Sequence, residues 1–100
     1  MRVGDGAELK VLGGARGVFD RVDVIIVEAS RTFFFERLEF LHKSGFGLFD
    51  IVDICYYAGC FHQADLIFLR KPLLSDPRFN GWARGPFEPS EYFPLNSVIS

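Results

Sequence analysis

The chain has 100 residues, enough for one domain with a modest core. Apolar residues make up 49% of it and twelve residues are Phe, which excludes a disordered chain or a linker. The formal charge of −2 gives no electrostatic reason to expect nucleic acid or a membrane surface as a partner. No apolar run approaches the ~20 residues of a membrane span, and no secretory leader pattern opens the chain, so we expect a cytoplasmic protein.

The predicted elements begin with an amphipathic helix over residues 7–19, where apolar side chains recur at helical spacing. A strand with a continuous apolar run at residues 24–27 follows over residues 22–29 and is typical of a sheet that is covered on both faces. A second helix is predicted from Phe33 to Lys43, with Thr32 as its N-cap. We expect the Phe33-Phe34-Phe35 run to bury itself against the sheet.

Two further strands are predicted at residues 46–54 and 63–70, separated by a short link that contains Gly59. A short link joins antiparallel strands, whereas the helix between residues 22–29 and 46–54 makes those two strands parallel. From residue 71 onward the composition changes to Pro, Ser, Asn and Gly. The sequence therefore predicts an α/β fold over residues 1–70, in the order helix, strand, helix, strand, antiparallel strand, and an irregular Pro-containing tail over residues 71–100.

The only two cysteines, Cys55 and Cys60, are expected to be ordinary thiols. A cytoplasmic setting argues against a disulfide, and the absence of a second Cys pair argues against zinc. Asp50 and Asp53 stand three apart in a predicted strand and should point to opposite faces. No metal site is predicted.

Four segments, taken in order, carry a resemblance to a known family. They are Gly6-Ala7-Glu8-Leu9 with Val11-Leu12 and Gly14-Ala15; Val24-Ile25-Ile26-Val27-Glu28; Phe40-Leu41 with Gly45-Phe46, Leu48 and Asp50-Ile51; and Gln63-Ala64-Asp65-Leu66-Ile67-Phe68. In order and spacing they resemble the C-terminal half of the FkbM-type S-adenosylmethionine-dependent methyltransferases, over residues 4–70. The resemblance implies part of a Rossmann-like methyltransferase sheet, S-adenosylmethionine as cofactor, and methyl transfer to the oxygen of a small-molecule hydroxyl acceptor.

The sequence departs from this family at the cofactor. The family's glycine-rich loop after its first strand, and the acidic residue after its second, have no counterpart in the 100 residues. Val3 stands where the family usually has an acidic residue, and Asp5 stands where it has Glu or Gln. We therefore expect this chain alone to be inactive, and the sequence leaves open whether the N-terminal cofactor half exists upstream or in a partner chain.

Ligands of an open α/β sheet bind beyond the carboxyl ends of its parallel strands. This rule selects Glu28 and His62 as candidate catalytic residues: His62 has the side chain best suited to a general base, and Glu28 could hydrogen-bond the acceptor hydroxyl or the cofactor amine. At the start of the predicted first helix, Asp5 and Gly6 are candidates for cofactor binding. Plain structural roles remain open for the charged candidates: a surface histidine, a solvated carboxylate and, for Asp5, a helix N-cap.

Two functional hypotheses follow. The first is the acceptor-side half of a methyltransferase. The alternative is a non-catalytic remnant or self-associating interaction module, which would pair with a second copy or a partner chain through an exposed edge of strand 22–29. Cofactor binding separates the two, because the remnant should show none.

Overall fold

The computed structural model describes residues 1–3 and 16–94. Within them, one mixed sheet is formed by four strands: β1 (Arg2–Val3), β2 (Val24–Ser30), β3 (Phe46–Tyr57) and β4 (Cys60–Arg70). The helical segments are α1 (Arg16–Phe19), α2 (Phe34–Lys43), α3 (Lys71–Leu74) and two 3₁₀ turns at Gly81–Arg84 and Pro89–Glu91. The predicted α/β class is confirmed.

The strand order is β1-β2-β4-β3. Strand β1 is parallel to β2, and β4 is antiparallel to both β2 and β3, so β1, β2 and β3 share one direction and β4 alone is reversed. These directions confirm the sequence prediction. The predicted exposed edge of strand 22–29 is wrong, because β4 pairs with every residue of β2 on one side and β1 pairs with Ile26 and Val27 on the other. In the described part of the chain, the sheet edges are β1 and β3.

The hydrophobic core lies on one face of this sheet, called here the core face. Strand β2 alternates strictly and buries Ile25, Val27 and Ala29 on this face. The same cluster contains Leu66 and Phe68 from β4, Phe46 from β3, Leu41 from α2 and Phe19 from α1. The side chains between the buried ones point to the opposite face, called here the second face.

Helix α2 begins later than predicted. Its first residue is Phe34, and the preceding Phe33 makes no side-chain cap hydrogen bond. Thr32 is not the N-cap, because the backbone N–H of Phe33 donates to the Ser30 carbonyl at 3.0 Å and closes a turn around it. The predicted burial of the Phe33–Phe35 run is also wrong: Phe34 packs against the core, but Phe35 is 77% exposed.

The hairpin of β3 and β4 is longer than predicted, because its loop is only Ala58-Gly59. Both loop residues have positive φ, 52° at Ala58 and 79° at Gly59, as two-residue loops of the type I′ class require. The pairing is interrupted by register shifts on β3, one of them between Val52 and Cys55, where Asp53 has φ of 52°. Strict alternation therefore fails in β3, and the expectation that Asp50 and Asp53 lie on opposite faces has no basis there.

Two predicted segments extend beyond the described residues. The helix predicted over residues 7–19 lies mostly outside them, and its last turn is α1. Residues 71–94 form α3 and the two 3₁₀ turns, and the boundary proposed at residue 70 stays a prediction.

Searched over residues 1–3 and 16–94, the chain has no helix that is both long and apolar enough to cross a membrane.

Candidate functional site

One end of the sheet collects polar side chains from two neighbouring strands. Strand β2 reaches its carboxyl end here and β4 begins here, so Glu28 lies directly opposite Asp65 and Ser30 lies directly opposite Gln63. These four residues, called here the rim, belong to the second face, since Val27 and Ala29 between them point into the core. The rim is where the strand-end rule places a ligand.

An ion pair joins the rim to the first strand. The guanidinium Nη2 of Arg2 donates to Oδ2 of Asp65 at 2.8 Å, across the intervening strand β2. The Asp65 side chain is 9% exposed and that of Arg2 is 58% exposed, so only the arginine of this pair is in contact with solvent to a large extent. Arg2 was missed by sequence reasoning, because nothing local marks a residue whose partner is 63 positions away.

The rim has an excess of negative charge. The pKa of the Arg2 guanidinium is raised, first by its hydrogen bond and Coulomb attraction to Asp65, and further by the charges of Glu28 and Asp53. Three carboxylates thus act on one cation. Ionised carboxylates only accept hydrogen bonds, so Glu28, which is half-buried, suits a ligand that brings a hydroxyl or a cationic group.

His62 lies apart from this group. Its backbone carbonyl accepts from the Arg31 N–H at 2.9 Å, and its exposed ring lies 6.2 Å from the Tyr57 ring between centroids. Along β4, His62 is three residues from Asp65, about 10 Å at the rise of a strand. No hydrogen bond or ion pair joins His62 to Glu28 in the described part of the chain. The structure brings Glu28, Asp65 and Arg2 together and leaves His62 beside the hairpin loop.

The remaining candidates are quickly placed. Asp5 and Gly6 lie outside the described residues. Cys55 and Cys60 are free, exposed thiols. Across residues 1–3 and 16–94 no three His, Cys, Asp or Glu side chains stand close enough to hold a metal ion.

Comparisons with known protein families, curated proteins and solved structures give no match. The function is therefore inferred from the residues and topology of the chain itself. What the site offers is a hydrogen-bond-accepting carboxylate on a strand end, a partly buried ion pair beside it, and an exposed imidazole on the next strand.

Proposed function

We propose that this chain forms the acceptor side of an FkbM-type S-adenosylmethionine-dependent methyltransferase that acts on a hydroxyl oxygen. The observation that supports the proposal most strongly is the sheet, in which three strands share one direction and the last strand is reversed. A sheet that is parallel except for one late reversed strand is typical of Rossmann-like methyltransferases. The reversed strand also starts at the rim, beside the carboxyl ends where ligands of such sheets bind.

The residues of this chain do not fit the cofactor. In the family the glycine-rich loop follows the first strand of the sheet, and by the resemblance no segment of this sequence corresponds to that strand. Within residues 1–3 and 16–94, the rim presents carboxylates instead of the backbone N–H groups that such a loop supplies. The chain's own contribution is to the acceptor: His62 takes the proton of the reacting hydroxyl, and Glu28 accepts a hydrogen bond from another hydroxyl of the same molecule. Asp65 and Arg2 hold β1 against the rim as positioning residues. Cofactor binding requires additional polypeptide.

Label transfer tests the proposal. The tagged chain is captured from its source cells with whatever accompanies it and is incubated with methyl-tritiated S-adenosylmethionine and a small-molecule extract. We expect tritium in a small-molecule product, and a loss of about 10²–10⁴-fold in His62→Ala, the usual contribution of a general base. His42→Ala, on the exposed end of α2, is the matched control and should keep the wild-type rate. No label transfer by wild-type material contradicts the proposal, and equal rates in the two variants contradict the role of His62.

A second candidate function, self-association, is favoured by one feature of β3. This 12-residue strand is a sheet edge in the described part of the chain, and six of its apolar side chains are between 38% and 76% exposed: Leu48, Phe49, Ile51, Ile54, Tyr56 and Tyr57. A long apolar edge strand is a template for pairing with another strand. The register shifts and the two aspartates of β3 oppose such pairing, which is why we place this function second.

Sedimentation velocity over a concentration series distinguishes the two candidates. If self-association is the function, the sedimentation coefficient of the purified chain rises with concentration and Ile54→Glu abolishes the rise. Phe35→Glu removes an even more exposed apolar side chain from α2 and is the control. A chain that sediments as a monomer at every concentration contradicts the second candidate and leaves the first untouched.

A further inference from the structure

Residues 80–92 form a cavity of about 280 Å³ that is open to solvent on one side and shares no residue with the rim. Its walls include three aromatic rings, Trp82, Phe87 and Tyr92, and two carboxylates, Glu88 and Glu91. Sequence reasoning passed over this region, because the aromatic residues are scattered in a Pro- and Gly-containing segment with no regular period.

Local hydrogen bonds hold the walls in place. Asn80 caps the first 3₁₀ turn by accepting from the Trp82 N–H at 3.1 Å, and its amide donates to the Leu74 carbonyl at 2.8 Å. The first turn is thereby tied to the end of α3. In the second turn, Glu88 Oε1 accepts from the Ser90 N–H at 3.4 Å and from its hydroxyl at 3.2 Å.

Core packing does not account for the three rings. Trp82 is 75% exposed, Phe87 57% and Tyr92 68%. They contact one another: Trp82 and Phe87 are stacked at 6.0 Å with an interplanar angle of 29°, and Tyr92 meets Phe87 edge-on at 5.9 Å. A connected set of exposed aromatic rings around a cavity is typical of a ligand site.

The charge at this cavity is negative. Glu88 and Glu91 line it, and the neighbouring cation, Arg84, reaches only within 3.9 Å of Glu91, with both side chains more than 60% exposed. Such an exposed pair is weak. Three arginine side chains in the described residues lie over aromatic rings, and these rings are Phe33, Phe46 and Phe79. No arginine of the described residues lies over a ring of the cavity.

We propose that this cavity binds a quaternary ammonium head group, as in choline or another trimethylated amine. Aromatic faces attract such cations through their quadrupoles, Trp most strongly, and the two carboxylates add Coulomb attraction. The cavity is slightly smaller than the ~300–1,000 Å³ of sites that enclose a whole drug-sized ligand, which suits a head group. The proposal goes beyond the methyltransferase function and does not depend on it.

The fluorescence of Trp82 tests this site directly, because Trp82 is the only tryptophan in the sequence. The full chain is titrated with choline chloride at constant ionic strength, and in parallel with 3,3-dimethylbutan-1-ol, which has the shape of choline without its charge. We expect a saturable change with choline and at least tenfold weaker binding of the neutral alcohol. Equal affinities for the two compounds, or a change with choline that does not saturate, would overturn the proposal.

Two variants of the cavity wall, each with a matched control, test whether choline binds at this cavity. Phe87→Leu should weaken choline about tenfold, the order expected for one lost cation–π partner, whereas Phe35→Leu, another exposed ring, should leave binding unchanged. Glu91→Gln keeps the shape of the wall and should weaken choline several-fold, and Glu36→Gln on α2 is its control. Circular dichroism verifies that each variant keeps the sheet. Wild-type affinity in both Phe87→Leu and Glu91→Gln would overturn the assignment to this cavity.

Discussion

Arg70, the last residue of β4, fastens the segment between α1 and β2 to the sheet. Its Nη2 donates to the Phe19 carbonyl at 2.6 Å and also to the Val22 carbonyl, and its Nε donates to Asp23 at 3.3 Å. Its guanidinium lies 5.5 Å from the centroid of the Phe46 ring. Only the planar fork of arginine can make these contacts together.

We predict that Arg70→Met lowers the free energy of unfolding by about 2 kcal/mol, because two carbonyls lose a charged donor. Arg21→Met removes an exposed arginine from the same segment and should change it by less than about 0.5 kcal/mol. Urea unfolding followed by circular dichroism measures both. Equal losses would mean that the contacts of Arg70 contribute nothing.

Asp76 titrates under the influence of Arg78. The Arg78 side chain donates to both Asp76 oxygens, Nη2 to Oδ2 at 2.7 Å, and its backbone N–H donates to Oδ1 at 2.9 Å. These side-chain hydrogen bonds first, and then the backbone one, lower the pKa of the Asp76 carboxyl. A lowered pKa in the folded chain stabilises the fold above the ordinary aspartate pKa, and this stabilisation is lost as the pH falls through the lowered value.

An NMR titration of the Asp76 carboxyl should therefore show a pKa below that of an unperturbed aspartate. In Arg78→Gln the pKa should rise, though not fully, because the backbone donor remains. Arg31→Gln, an exposed arginine elsewhere, should leave it unchanged. A pKa that is identical in the wild type and Arg78→Gln would contradict the assigned cause.

At the scale of elements, Gly47 allows α3 to pack against the sheet. Gly47 of β3 pairs with Leu69 of β4, and a Cβ built on Gly47 would overlap the Cδ1 methyl of Leu74. Leu69 is buried beside this contact. The absence of a side chain at position 47 is thus a packing requirement and not a requirement for unusual φ.

We predict that Gly47→Ala destabilises the chain by about 1 kcal/mol, the low end of the cost of overpacking, since a terminal methyl can shift. Combined with Leu74→Ala, the additional cost should vanish, giving a measurable coupling in a double-mutant cycle. Gly17→Ala is the matched control: it has open space around its Cβ and lies in α1, so it should stabilise by up to about 1 kcal/mol. Additive effects of the Gly47 and Leu74 changes would contradict this packing.

Regular elements could be predicted where a pattern has one explanation. The apolar run of branched side chains in β2, and the helical spacing in α2, identify both to within two residues. The strand ends were underestimated because Gly59 suggests a longer break than a two-residue loop with positive φ requires. The prediction of a free edge on β2 failed because sequence neighbours do not reveal that β4 inserts between β2 and β3.

The rim could be predicted only in part. The strand-end rule located Glu28 because it depends only on where β2 ends. The ion pair of Arg2 and Asp65 depends on a register across three strands, and the register shifts of β3 defeat alternation near Asp53. The sequence also does not reveal the pairing of β2 with β4, which places Asp65 opposite Glu28. His62 therefore lies about 10 Å along β4 from the position opposite Glu28.

For the whole molecule, the central feature is the unequal cover of the two faces of the sheet. The overall extents are 43 × 38 × 17 Å, and the smallest corresponds to one sheet and one helical layer, since packed layers stand about 10 Å apart. In the described residues α1 and α2 both pack on the core face. On the second face α3 covers only the end of the sheet near Gly47, and the rim and the half-buried Ile26, Val52 and Ile67 lie beyond it. Doubly wound sheets have helices on both faces. A second layer from additional polypeptide would cover these side chains, which supports the proposal that this chain is one side of a larger enzyme.

Cofactor retention by the native species tests this proposal most directly. The species that contains this chain is captured from its source cells, weighed by native mass spectrometry and dialysed against tritiated S-adenosylmethionine. We predict a species heavier than the 11.4 kDa of this chain, with additional polypeptide, that retains S-adenosylmethionine in stoichiometric amount. A native species that retains none, whatever its mass, would contradict the methyltransferase assignment.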